Sequence, residues 1–217
     1  MKFKRFLILP VFILNLSFRA QENEILFEDM AQRVEPNVSW EDLTLPRTQL
    51  FQLKNICNQA RRMNRTFRKK SAHRNALHAK GLNVLFCGCS EGEKTMAAEV
   101  IASELERVLY RIDLGVVVSK YIGETEKNLS KVFSEAEAIN AILLLDEADD
   151  LFGNRTNSSD THDRYENIDT AYLLQRIEEY QGLVVLTSNH CYQQNDPFIR
   201  RMGFVVEFPT TEEKDRP

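Results

Sequence analysis

Short apolar runs alternate with longer amphipathic segments along most of the chain after residue 35. The apolar runs predict five strands, at residues 83–87, 109–113, 141–145, 183–187 and 204–208. The segments between them predict helices at residues 45–63, 94–105, 124–138 and 167–180, a polar loop at 153–163 and a short helix at 197–202. Strands that alternate with helices predict an open, mainly parallel α/β sheet with its site at the carboxyl ends of the strands.

Composition supports one folded domain. The chain has 217 residues, of which 43% are hydrophobic and 28% charged, so it can bury a sizeable core. Its net charge of −4 gives no electrostatic footprint for nucleic acid. Basic residues do gather between 61 and 80, and we interpret that stretch as a solvated helix and linker.

The cysteines and histidines give no metal-ligand spacing. Cys57, Cys87, Cys89 and Cys191 lack a Cys-x-x-Cys pair, and the four histidines are scattered. We therefore expect reduced thiols in a cytosolic protein.

The first 20 residues leave the location of the protein open. A basic start precedes an apolar run at residues 6–14, as in a secretory signal. The run is shorter than the roughly 20 residues of a spanning helix, and Phe18 and Arg19 suit cleavage after Ala20 poorly. We expect a cytoplasmic protein that does not enter a membrane, with export or anchoring through residues 1–20 as the alternative.

A candidate phosphate-binding loop follows the first predicted strand. It reads Gly88-Cys89-Ser90-Glu91-Gly92-Glu93-Lys94-Thr95 and continues with Met96. In the pattern Gly-x-x-x-x-Gly-Lys-Ser/Thr, backbone N–H groups and the lysine hold phosphates and the hydroxyl holds Mg²⁺. Glu93 stands at the second glycine, where its Cβ restricts the backbone and its charge repels phosphate, and Glu91 adds a second charge. By itself the segment is either a damaged nucleotide site or an ordinary strand-to-helix turn.

A pair of acids closes the third predicted strand. Asp146 and Glu147 follow the apolar residues 141–145, as in a Walker B element. In such a pair one carboxylate orders Mg²⁺ and its neighbour activates the attacking water. An acidic pair at this place can also be a helix N-cap, but its position after the candidate loop favours the nucleotide interpretation.

Together these blocks resemble the AAA family of ATPases over residues 38–209. The similarity is greatest with a bacterial branch of the family, some of whose members accompany contractile injection systems. The resemblance lies in residues 81–86, 94–102, 118–128, 146–149, 171–180 and 200–201. It implies a P-loop NTPase three-layer sandwich with a five-stranded, mainly parallel sheet, and ATP hydrolysis coupled to protein remodelling.

The resemblance also implies roles for individual residues. Residues 88–96 would bind ATP, Thr95 and Asp146 would hold Mg²⁺, and Glu147 would activate water. Asn189 resembles the residue that positions this water, and Arg200 resembles an arginine finger that acts on a neighbouring subunit's nucleotide. The segment Lys120-Tyr121-Ile122-Gly123 resembles a pore loop that grips a polypeptide substrate inside a hexameric ring, although Tyr121 could equally be a core aromatic.

Several features depart from the family. Glutamates replace its usual glycines at 91 and 93, Gly203 stands where a second interface arginine is common, and Asn195 where an acid is common. The domain organisation that we expect is an extension at 1–35, a helix and basic linker at 36–80, the ATPase core at 81–210 and a tail at 211–217, without a helical lid domain.

Two functions remain open at this point. The chain is either an ATP-binding ATPase core with impaired activity or a nucleotide-independent interaction module that retains the fold. A membrane-anchored protease relative is disfavoured, because no His-Glu-x-x-His motif follows the ATPase blocks. DNA-loading relatives share the fold, but the acidic pI of about 5.7 argues against them.

Overall fold

Six strands form one sheet in a computed structural model that describes residues 31–70, 81–114, 125–149, 162–191 and 198–209. The strands are β1 (Gln32–Val34), β2 (Leu82–Cys87), β3 (Leu109–Asp113), β4 (Ile142–Asp146), β5 (Leu183–Ser188) and β6 (Phe204–Glu207). The helices are α1 (Arg47–Lys70), α2 (Glu91–Leu105), α3 (Thr125–Ala138) and α4 (His162–Glu179), with a single 3₁₀ turn at Ile199–Arg201. Their order in the sheet is β1-β3-β4-β5-β2-β6, and every neighbouring pair is parallel except β1 with β3.

The five predicted strands are confirmed, but a sixth strand was missed. β1 is three residues long and pairs at the edge of the sheet, with Gln32 and Arg33 exposed. A segment this short and polar carries no periodic signal. The prediction of a loop at 153–163 is wrong at its end, because α4 already begins at His162.

Two apolar layers cover the two faces of the sheet. α1 and α2 pack on one face through residues such as Leu53 and Ile101, against Phe86 and Leu144. On the other face α3 and α4 contribute Phe133 and other apolar side chains. All residues of β2, β4 and β5 are buried, as expected for central parallel strands covered on both faces. The structure therefore confirms the α/β sandwich.

Two helices end in the same manner at the amino edge of the sheet. Glu106 after α2 and Asn140 after α3 have positive φ angles of 53° and 54°. The next amides, of Arg107 and Ala141, then donate to carbonyls five residues back, at 3.0 and 2.9 Å. Such left-handed caps satisfy the last helical carbonyls and turn the chain directly into the following strand.

Candidate functional site

Buried polar side chains concentrate at the carboxyl edge of the sheet, where β2, β4 and β5 end. Among the described residues five polar side chains are buried. Four of them lie at this edge and are each at most 2% exposed: Lys94, Asp146, Thr187 and Ser188. The fifth, Asn83, lies near the amino end of β2. Burial of polar and charged groups costs free energy unless partners compensate. Their concentration at one edge marks this edge as the candidate site.

Gly88 begins the loop at this edge. Its φ is +123°, and a Cβ there would lie 2.3 Å from the carbonyl oxygen of Phe208. Both the backbone conformation and the close approach of the strand-end backbone after β6 therefore require glycine at this position. Cys89 and Ser90 complete the turn, and α2 begins directly afterwards.

The expected backbone strain at Glu91 and Glu93 is absent. Both residues lie in the first turn of α2, and neither is among the residues of positive φ. The helix thus begins three residues before Lys94, where the sequence pattern predicted its start. Acidic residues in a first turn are favoured by the helix dipole, so this conformation stabilises both glutamates. The expected repulsion between these glutamates and a phosphate remains a prediction. The helix dipole would attract the phosphate while the glutamates would repel it.

Lys94 points into the protein. Its side chain is 1% exposed, and its Nζ lies 2.6 Å from the Gly88 carbonyl, 2.7 Å from the Ser188 carbonyl and 2.8 Å from Asn189 Oδ1. A lysine ammonium has three donors, so these three oxygens suffice to compensate its burial. Lys94 and Asn189, which the sequence predicted to lie in one site, are therefore in direct contact. We call the loop closed in this arrangement, in which the Lys94 ammonium donates to Gly88, Ser188 and Asn189.

Asp146 is held by two neighbouring strands. Arg111 on β3 donates through Nε, at 2.8 Å, and through Nη2 to Oδ2, while the Thr187 hydroxyl on β5 donates to Oδ1. The carboxylate is 2% exposed and the Arg111 side chain 40% exposed, so the cation closes the site towards solvent. A carboxylate that is paired and hydrogen-bonded in this way has a fixed orientation.

Glu147 and Asp149 follow β4 in a tight turn. Glu147 is exposed and has a φ of +56°, which is uncommon for a residue other than glycine and costs backbone free energy. Asp149 accepts from Ser188 Oγ at 2.6 Å and from the Asn189 amide. Burial raises the pKa of Asp149, but these hydrogen bonds and that of the His190 amide outweigh it, so its pKa lies below the ordinary value. Asp149 thereby fixes the turn that carries Asn189.

The other predicted site residues lie in α2, in the 3₁₀ turn or outside the described ranges. Thr95 and Met96 are partly buried in α2. Arg200 is exposed in the 3₁₀ turn, whereas its neighbour Arg201 forms an ion pair with Glu178 at 2.5 Å. The pore-loop prediction at residues 120–123 and the substitution at Asn195 lie outside the described residues.

The structure explains why residue 203 is a glycine. Its amide donates to the Asn83 carbonyl at 2.7 Å, and a Cβ there would lie 2.7 Å from Leu82 Cδ1. β6 therefore approaches β2 too closely at this point for a side chain to fit without movement of Leu82.

The expectation of reduced thiols is wrong for two of the four cysteines. Cys87, the last residue of β2, forms a disulfide with Cys191, which lies three residues beyond the end of β5. Cys57 is buried and free, and Cys89 is exposed and free. Sequence spacing could not indicate this pair, because the two cysteines are 104 residues apart and meet only through the alignment of β2 with β5.

Sequence reasoning also missed Arg111 and Thr187. Arg111 aligns with Leu144, two residues before Asp146, so both side chains lie on one face of the sheet. Thr187 follows the aligned pair Leu145 and Leu186 by one step, which places it beside Asp146. For Thr187, a polar residue near the end of an otherwise apolar strand was the available signal, but it is interpretable only when the strand order is known.

The sequence profile of the ATPase family associated with various cellular activities (AAA) matches residues 84–210, more than half of the chain. The chain belongs to the AAA family. Among curated relatives, an AAA family ATPase y4kL of Sinorhizobium fredii is 27% identical over 188 residues, 85% of this chain and 54% of the relative. The cell division protein C of Sulfolobus acidocaldarius is 29% identical over 138 residues, 58% of this chain and 36% of that protein.

Solved AAA structures have the same fold. The FIGL-1 AAA domain superposes with a TM-score of 0.62 at 21% identity and covers 87% of this chain and 60% of the solved one. The same domain in complex with ADP gives a TM-score of 0.60 at 21% identity and covers 88% and 63%. At this identity the likeness concerns the fold. This AAA chain spans about half the length of y4kL and about a third that of the cell division protein.

The helices of the described ranges include none that is both long and apolar enough to cross a membrane. The apolar run at 6–14 lies outside these ranges.

Proposed function

We propose that this chain is the ATP-binding core of an AAA ATPase of the bacterial branch, whose hydrolysis is coupled to the remodelling of polypeptide substrates by a ring of subunits. The observation that carries the proposal is the convergence of Lys94, Asp146, Glu147 and Asn189 at the carboxyl edge of β2, β4 and β5. A cation, a metal-type carboxylate, a second acid and a polar amide at one helix N-terminus suit phosphoryl transfer.

The donor set fits a magnesium nucleotide. Protein-bound Mg²⁺ is usually held by one or two carboxylates together with substrate phosphates, and Asp146 with the Thr95 hydroxyl matches this requirement. When bound, Mg²⁺ would offset the negative charge of the phosphates. Residues 88–96 would surround the phosphates, and Lys94 would bind them once it leaves the carbonyls of Gly88 and Ser188.

Two further residues would act on water. Glu147 is exposed beside Asp146, where its carboxylate can accept a proton from an attacking water. Asn189 would orient that water through its amide once it is no longer bonded to Lys94. The closed loop would thus have to open first, and the free energy of opening would lower the apparent affinity for ATP.

Calorimetric titration of dithiothreitol-treated protein with Mg-ATP tests the proposal. We expect measurable heat from the parent chain and none from Lys94→Met, which keeps the side-chain volume but removes the charge. Lys54→Met is the matched control, because Lys54 lies on α1 over the Trp40 ring, 5.5 Å from its centroid, and should bind as the parent does. Absence of heat from the reduced parent at millimolar nucleotide would overturn the proposal.

The role of Arg200 in a ring can be tested separately. Glu147→Gln subunits keep an intact arginine, and Arg200→Ala subunits keep an intact Glu147. If Arg200 acts on the neighbouring site, mixing the two inactive variants should restore part of the ATPase rate. Arg201→Ala is the control, since its side chain is engaged with Glu178. No recovery on mixing, with Arg200→Ala active alone, would remove Arg200 from the site.

A second function is favoured by the first turn of α2. Glu91 and Glu93 both belong to the first turn of α2, so the sequence adds two acidic residues to the helix end at which a phosphate would bind. This arrangement favours a nucleotide-independent interaction module. Thermal shift of the parent against Glu91→Gly/Glu93→Gly and Glu91→Gln/Glu93→Gln discriminates the two functions, because a ligand at 100 times its Kd stabilises by about 2.7 kcal/mol. A parent that Mg-ATP stabilises as much as both double variants contradicts the module.

The wider setting belongs to the same proposal. We place the protein in the cytoplasm, as a homo-oligomer with ATP and an extended polypeptide as ligands, and with no nucleic acid partner. The resemblance of residues 120–123 to a pore loop supports the polypeptide substrate, and Tyr121→Ala should slow substrate unfolding while it leaves ATP binding intact.

A further inference from the structure

The disulfide lies directly at the closed loop. Cys87 aligns with Ser188 across β2 and β5, and the Gly88 amide donates to the Ser188 carbonyl at 3.1 Å. The covalent bond between Cys87 and Cys191 therefore joins the end of β2 to the segment that follows β5.

The three oxygens that hold Lys94 lie within the joined segments. Gly88 follows Cys87 directly, and Ser188 and Asn189 precede Cys191 by three and two residues. The loop cannot move far from Asn189 while the disulfide is intact, because the cross-link lies one residue from Gly88. The disulfide thus holds together the two segments whose oxygens accept hydrogen bonds from the Lys94 ammonium.

We propose that Cys87 and Cys191 are a thiol-disulfide redox site that controls access to the nucleotide loop, with a dithiol reductant as its reaction partner. The oxidised form keeps Lys94 bound to the loop carbonyls and Asn189, and the reduced form releases it for nucleotide. This inference rests on the proposed ATP binding. A disulfide in a cytosolic protein is generally transient, catalytic or redox-sensing, which agrees with such a role.

The exposure of the two cysteines determines which sulfur a reductant attacks. Cys87 is 1% exposed and Cys191 is exposed, so a thiolate of the dithiol attacks Cys191 Sγ and the Cys87 thiolate leaves and takes up a proton. The second thiolate of the reductant then attacks the reductant sulfur that is bonded to Cys191. The Cys191 thiolate leaves and is protonated. The dithiol loses two electrons and two protons to become a disulfide, and the two cysteines gain them.

The other two cysteines serve as references. Cys57 is buried, and burial, together with the charge of Glu104, raises its pKa to about 12, so it stays a protonated, unreactive thiol. Cys89 is exposed and free, and it lies in the same loop two residues from Cys87. Cys57 lies on α1, outside the proposed site, so Cys57→Ala is the control for Cys191→Ser.

Titration of oxidised and reduced protein with Mg-ATP tests the inference, after non-reducing peptide mapping by mass spectrometry has confirmed the Cys87–Cys191 link. We expect the reduced parent to bind at least ten-fold more tightly than the oxidised one. Cys191→Ser should bind tightly under both conditions, and Cys57→Ala should respond to redox state as the parent does. Equal affinity of linked and reduced parent, or no link after oxidation, would overturn the redox site.

A readout without nucleotide separates this inference from the proposed function. Amide hydrogen exchange of residues 88–96 should become at least ten-fold faster when the parent is reduced, and should not respond to redox state in Cys191→Ser. Unchanged exchange overturns the redox site whether or not ATP binds. Faster exchange without ATP binding to either form supports the redox control of the loop and contradicts the proposed function alone.

Discussion

The two edges of the parallel strands are built from different chemistry. At the amino edge, before the strands begin, the buried polar contacts are neutral. The Tyr180 hydroxyl donates to the Ala141 carbonyl at 2.8 Å, and the Leu82 amide to the Gly182 carbonyl at 2.9 Å. At the carboxyl edge the buried polar groups include two ions, Lys94 and Asp146.

This difference agrees with the proposal that the carboxyl edge is the nucleotide site. Neutral buried hydrogen bonds contribute modestly and reliably to folding, whereas buried ions are costly and are often no better than apolar residues of equal volume. A chain selected for stability alone gains little from Lys94 and Asp146. We therefore expect changes at the carboxyl edge to alter both unfolding and nucleotide response, and changes at the amino edge to alter unfolding only.

The largest effect should come from Gly88→Ala. Its Cβ would lie 2.3 Å from the Phe208 carbonyl oxygen at a φ of +123°, so the free energy of unfolding should fall by about 3 kcal/mol or more. Gly92→Ala is the control in the same loop, because nothing lies within 4 Å of its Cβ. In the first turn of α2 that alanine should stabilise by about 0.5–1 kcal/mol. Urea denaturation of both variants measures the difference, and equal effects would show that the loop does not have the described backbone.

Arg111→Ala should have the next largest effect and act on both properties. It leaves the buried Asp146 carboxylate with the Thr187 hydroxyl as its described partner, and the free energy of unfolding should fall by about 2 kcal/mol. Because Arg111 covers the carboxylate proposed for Mg²⁺, the Mg-ATP concentration for half-maximal thermal shift should decrease. Arg33→Ala on β1 is the control, since its pair with Glu35 is exposed at 3.9 Å. An increased half-maximal concentration would make Arg111 a contributor to binding instead of a competitor.

The sequence was sufficient to predict the α/β fold and to select candidate residues for the site. Unbroken apolar runs such as 141–145 indicate central strands because covered parallel strands exclude polar side chains on both faces. The same reasoning selected the two acids after that run, and Lys94 after the preceding glycine turn, as candidates, because sites in open α/β sheets lie where the strands end.

The partners of those residues could not be predicted. Arg111 stands in β3, and its contact with Asp146 depends on the neighbouring position of β3 and β4 and on their register. The start of α2 at Glu91 was missed because the glycine pattern predicted an open loop, whereas the helix dipole favours glutamates in a first turn. The alignment of the strands decides the contact of Arg111, and the helix dipole decides where α2 begins. Neither produces a periodic pattern in the sequence.

At the amino edge, Tyr180→Phe should destabilise by about 1–2 kcal/mol, because it removes the donor to the buried Ala141 carbonyl. Burial raises the pKa of Tyr180, so its hydroxyl remains a donor throughout the neutral range. The ring contact with Phe133, at 5.7 Å between centroids, should persist in the phenylalanine variant. Tyr172→Phe, on the partly buried surface of α4, should change stability by less than about 0.5 kcal/mol. A change in Mg-ATP response with Tyr180→Phe would break the division between the two edges.

The smallest effect should come from Glu104, near the end of α2. Hydrogen bonds from Arg61 and Trp40, with the charge of Lys54, hold its pKa below the ordinary value of 4.5. A lowered pKa in the folded state stabilises above pH 4.5 and loses its contribution as the pH falls through the folded value. Since Arg61 and Glu104 are 43% and 34% exposed, the stability difference between the parent and Glu104→Gln should stay below about 1 kcal/mol at pH 7. That difference should shrink below pH 4.5 and with added salt, and thermal unfolding between pH 3 and 7 measures it. A difference that is constant across this range would mean that neutral hydrogen bonds, as elsewhere at the amino edge, account for the stabilisation.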